Sequence, residues 1–207
     1  MQSHKTPLIL LVIYTLLFAS LAISPYDRAT WWVENIPIWI VVGILLLTYI
    51  RFKFSNFAYT LMTLFLCYHT IGGHFTFELV PFDWGNDLLS KLEFDFILSD
   101  GRNNFDRLGH FMVGVFSYAI VEISLRKNWV NNRLIAWLFA VFALGFWAAS
   151  YEIIEMVYAV LEGGESGAAF LGSQGDIWDA QKDMLLNIVG GCVFGLLALL
   201  NQQNWKD

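Results

Sequence analysis

Three of the four histidines in this chain of 207 residues, with several carboxylates, sit where long apolar runs end or begin. His69 and His74 close one run, and Asp106 and His110 open the next. Glu152 and Glu155 close a third. Asp176, Asp179, Asp183 and Asn187 lead into the last. Asp106 and His110 are four residues apart and Glu152 and Glu155 three, so each pair shares a helix face. The stripe from Asp176 to Asn187 steps by three, four and four, which is continuous if helical. His69 and His74 are five apart, about 140° round a regular helix, and diverge unless Gly72-Gly73 turns the backbone. The fourth histidine, His4, lies in the N-terminal tail.

Imidazoles and carboxylates converging at one depth suit a divalent metal, Zn²⁺ first and Mn²⁺ or Fe²⁺ next. Ionisable groups inside hydrocarbon cost several kcal/mol and need a partner or a wet cavity. That cost singles out His69, His110, Glu152 and Asp183 as first ligands, with His74 and Asp179 next. Glu155 or Asp106 is then the general base, or the group that orients a ligand. Arg107 and Lys182 are placed to hold an anionic lipid headgroup or phosphate. A competing reading has Arg102, Arg107 and Lys182 neutralise the acids in an ion-pair network that locks the loops. No His-Glu-x-x-His zinc motif is present.

Other residues read as structural. Glu122 and Arg126 form an (i, i+4) helix pair. Gly191 with Gly195, and Gly109 with Gly114, suit close helix packing. Tyr68, Tyr151 and Trp178 read as interfacial aromatics, and Cys67 and Cys192 as small packing residues. Gly172-x-x-Gly175 lacks the lysine and spacing of a phosphate loop.

The elements that must position these groups are membrane spans. Only 14% of residues are charged and 57% are apolar, against about a quarter charged in soluble domains. A net charge of −6 argues against nucleic acid, which needs clustered cations. Six runs approach the roughly 20 apolar residues a spanning helix needs: residues 7–24, 36–50, 57–71, 108–125, 134–151 and 184–200. The expected fold is therefore an all-α polytopic membrane bundle of about six transmembrane helices, one domain over residues 1–207, with the lipid bilayer as solvent. The first run is long for a signal peptide and no small-residue cleavage site follows it, so it reads as a retained span. Pro37 marks the start of the second span, and Gly72-Gly73 stops the third. Arg51, Lys53, Arg126, Lys127 and Arg133, with Lys5 and Lys206 near the ends, fall on one side, which places both termini in the cytoplasm. Two long loops, 72–107 and 162–183, then face outward. The first carries a candidate interfacial helix over 88–94, and the second is glycine-rich.

The chain resembles the YjdF-type family of bacterial inner-membrane proteins. The resemblance is carried by Trp32-Val33-Glu34-Asn35, by the stretches from His69 to His74 and from Arg102 to Phe111, and by the stretch from Leu171 to Met184. It covers nearly the whole chain and implies a multi-pass inner-membrane protein of Gram-negative type, with the polar groups facing the periplasm. It brings no reaction. The last three spans also resemble VanZ-like membrane proteins, on Asp106-Arg107-x-x-His110-Phe111 and on Asp183, Asn187 and Gly190. This second resemblance implies a link to the cell envelope.

These readings lead to an envelope-facing site, metal-bound, acting as a hydrolase or transferase on an envelope lipid or small polar substrate. The alternatives are a non-enzymatic scaffold or envelope factor held by ion pairs, and a small transporter. The apolar midplane of every run counts against the last, since coupling sites usually lie there.

Overall fold

A computed structural model describes residues 5–94, 96–98, 101–164, 167 and 171–206; His4 lies outside these. Among them the regular structure is helical: α1 (Lys5–Leu21), α2 (Arg28–Thr48), α3 (Asn56–Phe75), α4 (Asp83–Ser90), α5 (Phe105–Val113), α6 (Val115–Arg126), α7 (Arg133–Glu162), α8 (Asp179–Leu200) and a closing 3₁₀ turn, Gln202–Lys206. Among the described residues four helices are long and apolar enough to cross a membrane: Arg28–Thr48, Phe105–Arg126 taken as one rod, Arg133–Glu162 and Asp179–Leu200. Lys5–Leu21 is a shorter apolar helix. Helix α3 has the length, 20 residues, but its threonines, tyrosines, histidines and glycines dilute its apolar character.

Four boundaries differ from those expected from the sequence. Helix α2 begins eight residues before residue 36, because Asp27 caps it by accepting from Thr30 N at 2.7 Å. Pro37 therefore sits inside the helix. The capping amides hold the Asp27 carboxyl below its ordinary range. Helix α3 runs through Gly72-Gly73 and ends instead at Thr76, whose φ of 58° is left-handed. Both glycines are buried; a side chain at Gly72 would collide with the Phe77 ring. Helix α7 continues past residue 151 to Glu162. Its 30 residues span about 45 Å, more than a hydrocarbon core of roughly 30 Å, so one end carries polar residues beyond the apolar zone. The short helix of the long loop is Asp83–Ser90, earlier than 88–94.

The rod α5–α6 is central. It packs on α3 and α8, with α7 against α6 and α8, while α1 and α2 lie on α3. Helix α8 comes closest at Gly114 and Gly190, where a Cβ on either residue would overlap the other helix's backbone. Such contacts let backbones meet and bring van der Waals packing and polar contacts between helices; Ser117 Oγ donates to Gly191 O at 2.7 Å across the same seam.

Glu122 is more than a helix pair. It is fully buried, accepts from Ser55 N at 2.7 Å and Ser55 Oγ at 2.8 Å, and ion-pairs with Arg126. It thus ties α6 to the start of α3. The opposite end of the bundle, where α2, α5 and α8 begin and α1, α3 and α7 finish, holds the cluster of carboxylates, imidazoles and guanidinium groups.

Candidate functional site at the polar end of the bundle

The segment just before α5 fastens the loops that frame this end. Arg102 donates to Ser173 O at 2.6 Å, and Asn103 Nδ2 to Glu78 O at 2.9 Å and Val80 O at 2.8 Å. The Tyr68 ring stacks on Phe105 at 4.0 Å, and its hydroxyl donates to Phe105 O at 2.6 Å. Tyr68 is thus a strut between α3 and α5, not a plain interfacial ring.

Arg107, on the first turn of α5, is wholly buried. Its guanidinium meets Asp176 at 3.0 Å, Asp179 at 2.7 Å and Asp183, with a further bond to Asp179 O at 3.2 Å. Arg102 joins Asp179 at 2.7 Å, and Lys182 Nζ joins Asp176 at 2.7 Å. These pairs take up the cations that the sequence suggested for an anionic headgroup. Arg107 has no exposed surface left to offer one, and Asp179 pairs with two guanidinium groups.

Asp176 precedes α8. Its carboxyl lies below the ordinary aspartate value of 3.8, chiefly through the Lys182 bond and helped by the Trp178 amide at 3.0 Å. A depressed folded value contributes stability that is full above the unfolded value and lost as pH falls through the folded one. The loop over 171–178 should therefore resist limited proteolysis from neutral pH down to about 4 and loosen only in stronger acid. Asp176→Asn should expose it to the protease at pH 7.

One further turn along α5, His110 meets α8. Ligand atoms of Asp106, His110 and Asp183 lie within 4.8 Å of one another. His110 Nε2 is 3.5 Å from Asp106 and 3.9 Å from Asp183, beyond the 2.7–3.2 Å of a good hydrogen bond. Two ligands about 2.1 Å from a tetrahedral ion stand about 3.4 Å apart. The spacing thus leaves room for a small cation between the three groups. Asn187 Nδ2 reaches His110 Nδ1 at 2.9 Å and Asp183 O at 3.0 Å, while its own Oδ1, on a residue only 2% exposed, has no hydrogen-bond partner among the described residues. In this orientation the amide donates to Nδ1, which leaves the ring hydrogen on Nε2. Loading an ion at Nε2 requires the amide to turn over so that Oδ1 accepts from Nδ1–H.

The same groups line a cavity of about 300 Å³ with Glu34, His69, Tyr151 and Glu155. Tyr151 donates to the Glu34 carboxylate at 3.1 Å, and His69 Nε2 donates to Glu34 O at 2.9 Å. His69 therefore shares the cavity but spends that nitrogen on the backbone of α2. Glu152 is three residues from Glu155 on the same face of α7, and its Oε1 is buried with no hydrogen-bond partner among the described residues. His74 lies apart: its Nδ1 is 2.7 Å from Leu21 O, so it ties α3 to the end of α1. Lys182 serves Asp176 as described.

Glu34 and Tyr151 were missed as site residues. A second span taken from residue 36 leaves Glu34 outside the membrane zone, yet the residue is 4% exposed and lies in the second turn of an apolar helix. A carboxylate in such a helix was the available signal. Tyr151, read as interfacial, donates across the cavity to that carboxylate. At this end Arg102, Arg107 and Lys182 face Glu34, Asp106, Glu152, Glu155, Asp176, Asp179 and Asp183. The cations are spent mainly on the three aspartates of α8 and its approach. Asp183 shares Arg107 and Asp106 stands 3.6 Å from Arg102, so Glu34, Glu152 and Glu155 are the carboxylates here with no arginine or lysine beside them among the described residues.

Comparison with known proteins agrees with a membrane chain. Residues 6–204 match the family described as "Predicted membrane protein (DUF2238)". The chain is 36% identical over 192 residues, 92% of its length and 84% of the relative's, to the "Inner membrane protein YjdF" of Escherichia coli (strain K12). No solved structure matches it. This chain belongs to the DUF2238 family of membrane proteins.

Proposed function

We propose that the chain is an inner-membrane protein of six spans with both termini in the cytoplasm, and that its periplasm-facing cavity binds a divalent cation, zinc first. In this reading α1 and α3 also cross the bilayer, which puts every described site residue on one side. Asp106, His110 and Asp183 are the ligands, Asn187 orients the imidazole, and the ion serves a hydrolase or transferase acting on an envelope lipid or small polar substrate. The observation that carries the reading is the spacing of those three ligand atoms around a gap wider than a hydrogen bond. A bound divalent ion there supplies Lewis-acid polarisation and a water of lowered pKa. Glu155, lining the same cavity, is the general base, and the Tyr151–Glu34 pair orients the polar group of the substrate.

The test is thermal unfolding in detergent after treatment with a chelator. A ligand at a hundred times its Kd stabilises a fold by about 2.7 kcal/mol, so adding back Zn²⁺ should raise Tm by several degrees. His110→Gln should unfold at one temperature with or without it. If Zn²⁺, Mn²⁺ and Fe²⁺ all leave the wild-type Tm unmoved, the ion-pair scaffold takes the place of the metal reading. That second reading is favoured by the pairing of buried Arg107 with Asp176, Asp179 and Asp183.

A further inference from the structure

The cavity is not polar throughout. Glu34, Asp106, His110 and Tyr151 occupy one end; Val41, Phe116, Ile120 and Ala143 line the rest. These positions run inward along three helices. From Glu34 to Val41 on α2 is about 10 Å, and from Tyr151 back to Ala143 on α7 about 12 Å. Helix α2 packs on α3, and α7 on α6 and α8, so α2 and α7 form the two walls of a slot whose polar end is bridged by the Tyr151–Glu34 hydrogen bond. Trp147, which also lines it, is 45% exposed and stands at the edge facing the bilayer.

We infer that this slot holds a single hydrocarbon chain of a membrane amphiphile, with the head at Asp106, His110 and Glu34. The inference rests on the reading of the site as membrane-embedded and names the substrate class for it. Three observations converge on a lipid chain. The lining changes from carboxylates to aliphatic and aromatic groups in one direction, along helices that cross an apolar phase. Depth, about two helical turns, suits an extended chain, not a compact solute. Lipid is also the only apolar molecule at high concentration around these helices. The head is neutral or amine-bearing and rich in hydrogen-bond donors, because carboxylates line the polar end and the nearby cations Arg102, Arg107 and Lys182 are tied to aspartates. A bare anionic head would meet only repulsion without a metal.

The experiment uses a monoacylglycerol carrying a diazirine midway along its chain, incorporated with the full-length protein into phosphatidylethanolamine vesicles and photolysed. The expected crosslinks concentrate on peptides containing Val41 and Ala143–Trp147, and unlabelled monoacylglycerol competes them away. Ala143→Trp, filling the slot from α7, should lower that yield about tenfold, the equivalent of about 1.4 kcal/mol. Val41→Trp, filling it from the other wall, should do the same should the first variant fold poorly. Phe142→Trp, at a position 71% exposed and outside the cavity lining, should leave it unchanged. Crosslinks spread evenly over the outer faces of α1 and α8, or a yield untouched by both filling variants, would overturn the inference. Measuring the Zn²⁺-induced Tm shift on the same preparation separates the two claims: slot labelling without metal binding sinks the metal alone, and metal binding without slot labelling sinks the slot alone.

Discussion

Arg107→Met should destabilise the protein by about 3–5 kcal/mol, the usual result of removing one partner from a buried ion pair. The guanidinium is wholly buried and is the shared partner of Asp176, Asp179 and Asp183. Methionine nearly fills the space, so lost packing explains little; the cost is that of carboxylates left buried without a counter-charge. Two companion variants identify that cause. Arg107→Lys keeps the charge but loses the planar fork, which cannot be reproduced by an ammonium group, and should fall between wild type and methionine. Arg107→Met combined with Asp179→Asn should regain part of the loss, because one stranded charge is gone. Thermal unfolding in detergent at pH 7 measures all three. A methionine variant as stable as wild type would mean that the acids find other partners and the network is ornamental.

Gly190→Val should be nearly as damaging, and it acts through geometry. A Cβ at Gly190 would overlap the Phe111 carbonyl, and the α5–α6 rod and α8 cannot both stay where they are. Overpacking of this kind costs about 3 kcal/mol at the upper end of its usual range. The displaced contact lies one turn from His110 and Asn187, so the variant should lose metal-induced stabilisation as well as stability. Gly43→Val is the control: nothing lies within 4 Å of a side chain added there, and both properties should survive. Loss of stability with undiminished metal response would show that the seam at Gly114 and Gly190 does not set the distance between His110 and Asp183.

Most of the bundle was readable from the apolar runs, because lipid forces backbone groups to be satisfied within a helix and apolar length then marks each span. Boundaries failed where local chemistry outweighed hydropathy. Asp27 starts α2 inside a polar stretch, and buried Gly72-Gly73 lets α3 continue where glycine usually ends a helix. The gathering of Asp106, His110 and Asp183 followed from helix order and spacing. Who pairs with whom did not. Whether Arg107 faces a headgroup or three aspartates depends on how the loop before α8 folds back, and hydrogen bonds from Arg102 and Asn103 decide that. Glu34 lies outside a second span taken from residue 36, and His74 stays apart because α3 runs straight through Gly72-Gly73 instead of turning there.

Whether the carboxylates and imidazole at the polar end hold an ion decides between a metal site and an ion-pair scaffold. Elemental analysis of the protein purified in detergent, without added metal, tests this most directly. About one divalent ion per chain is expected, absent from a His110→Ala variant that keeps its helicity and its elution volume. Wild-type protein that carries no metal, takes up none after reloading and unfolds at the same temperature throughout would contradict it.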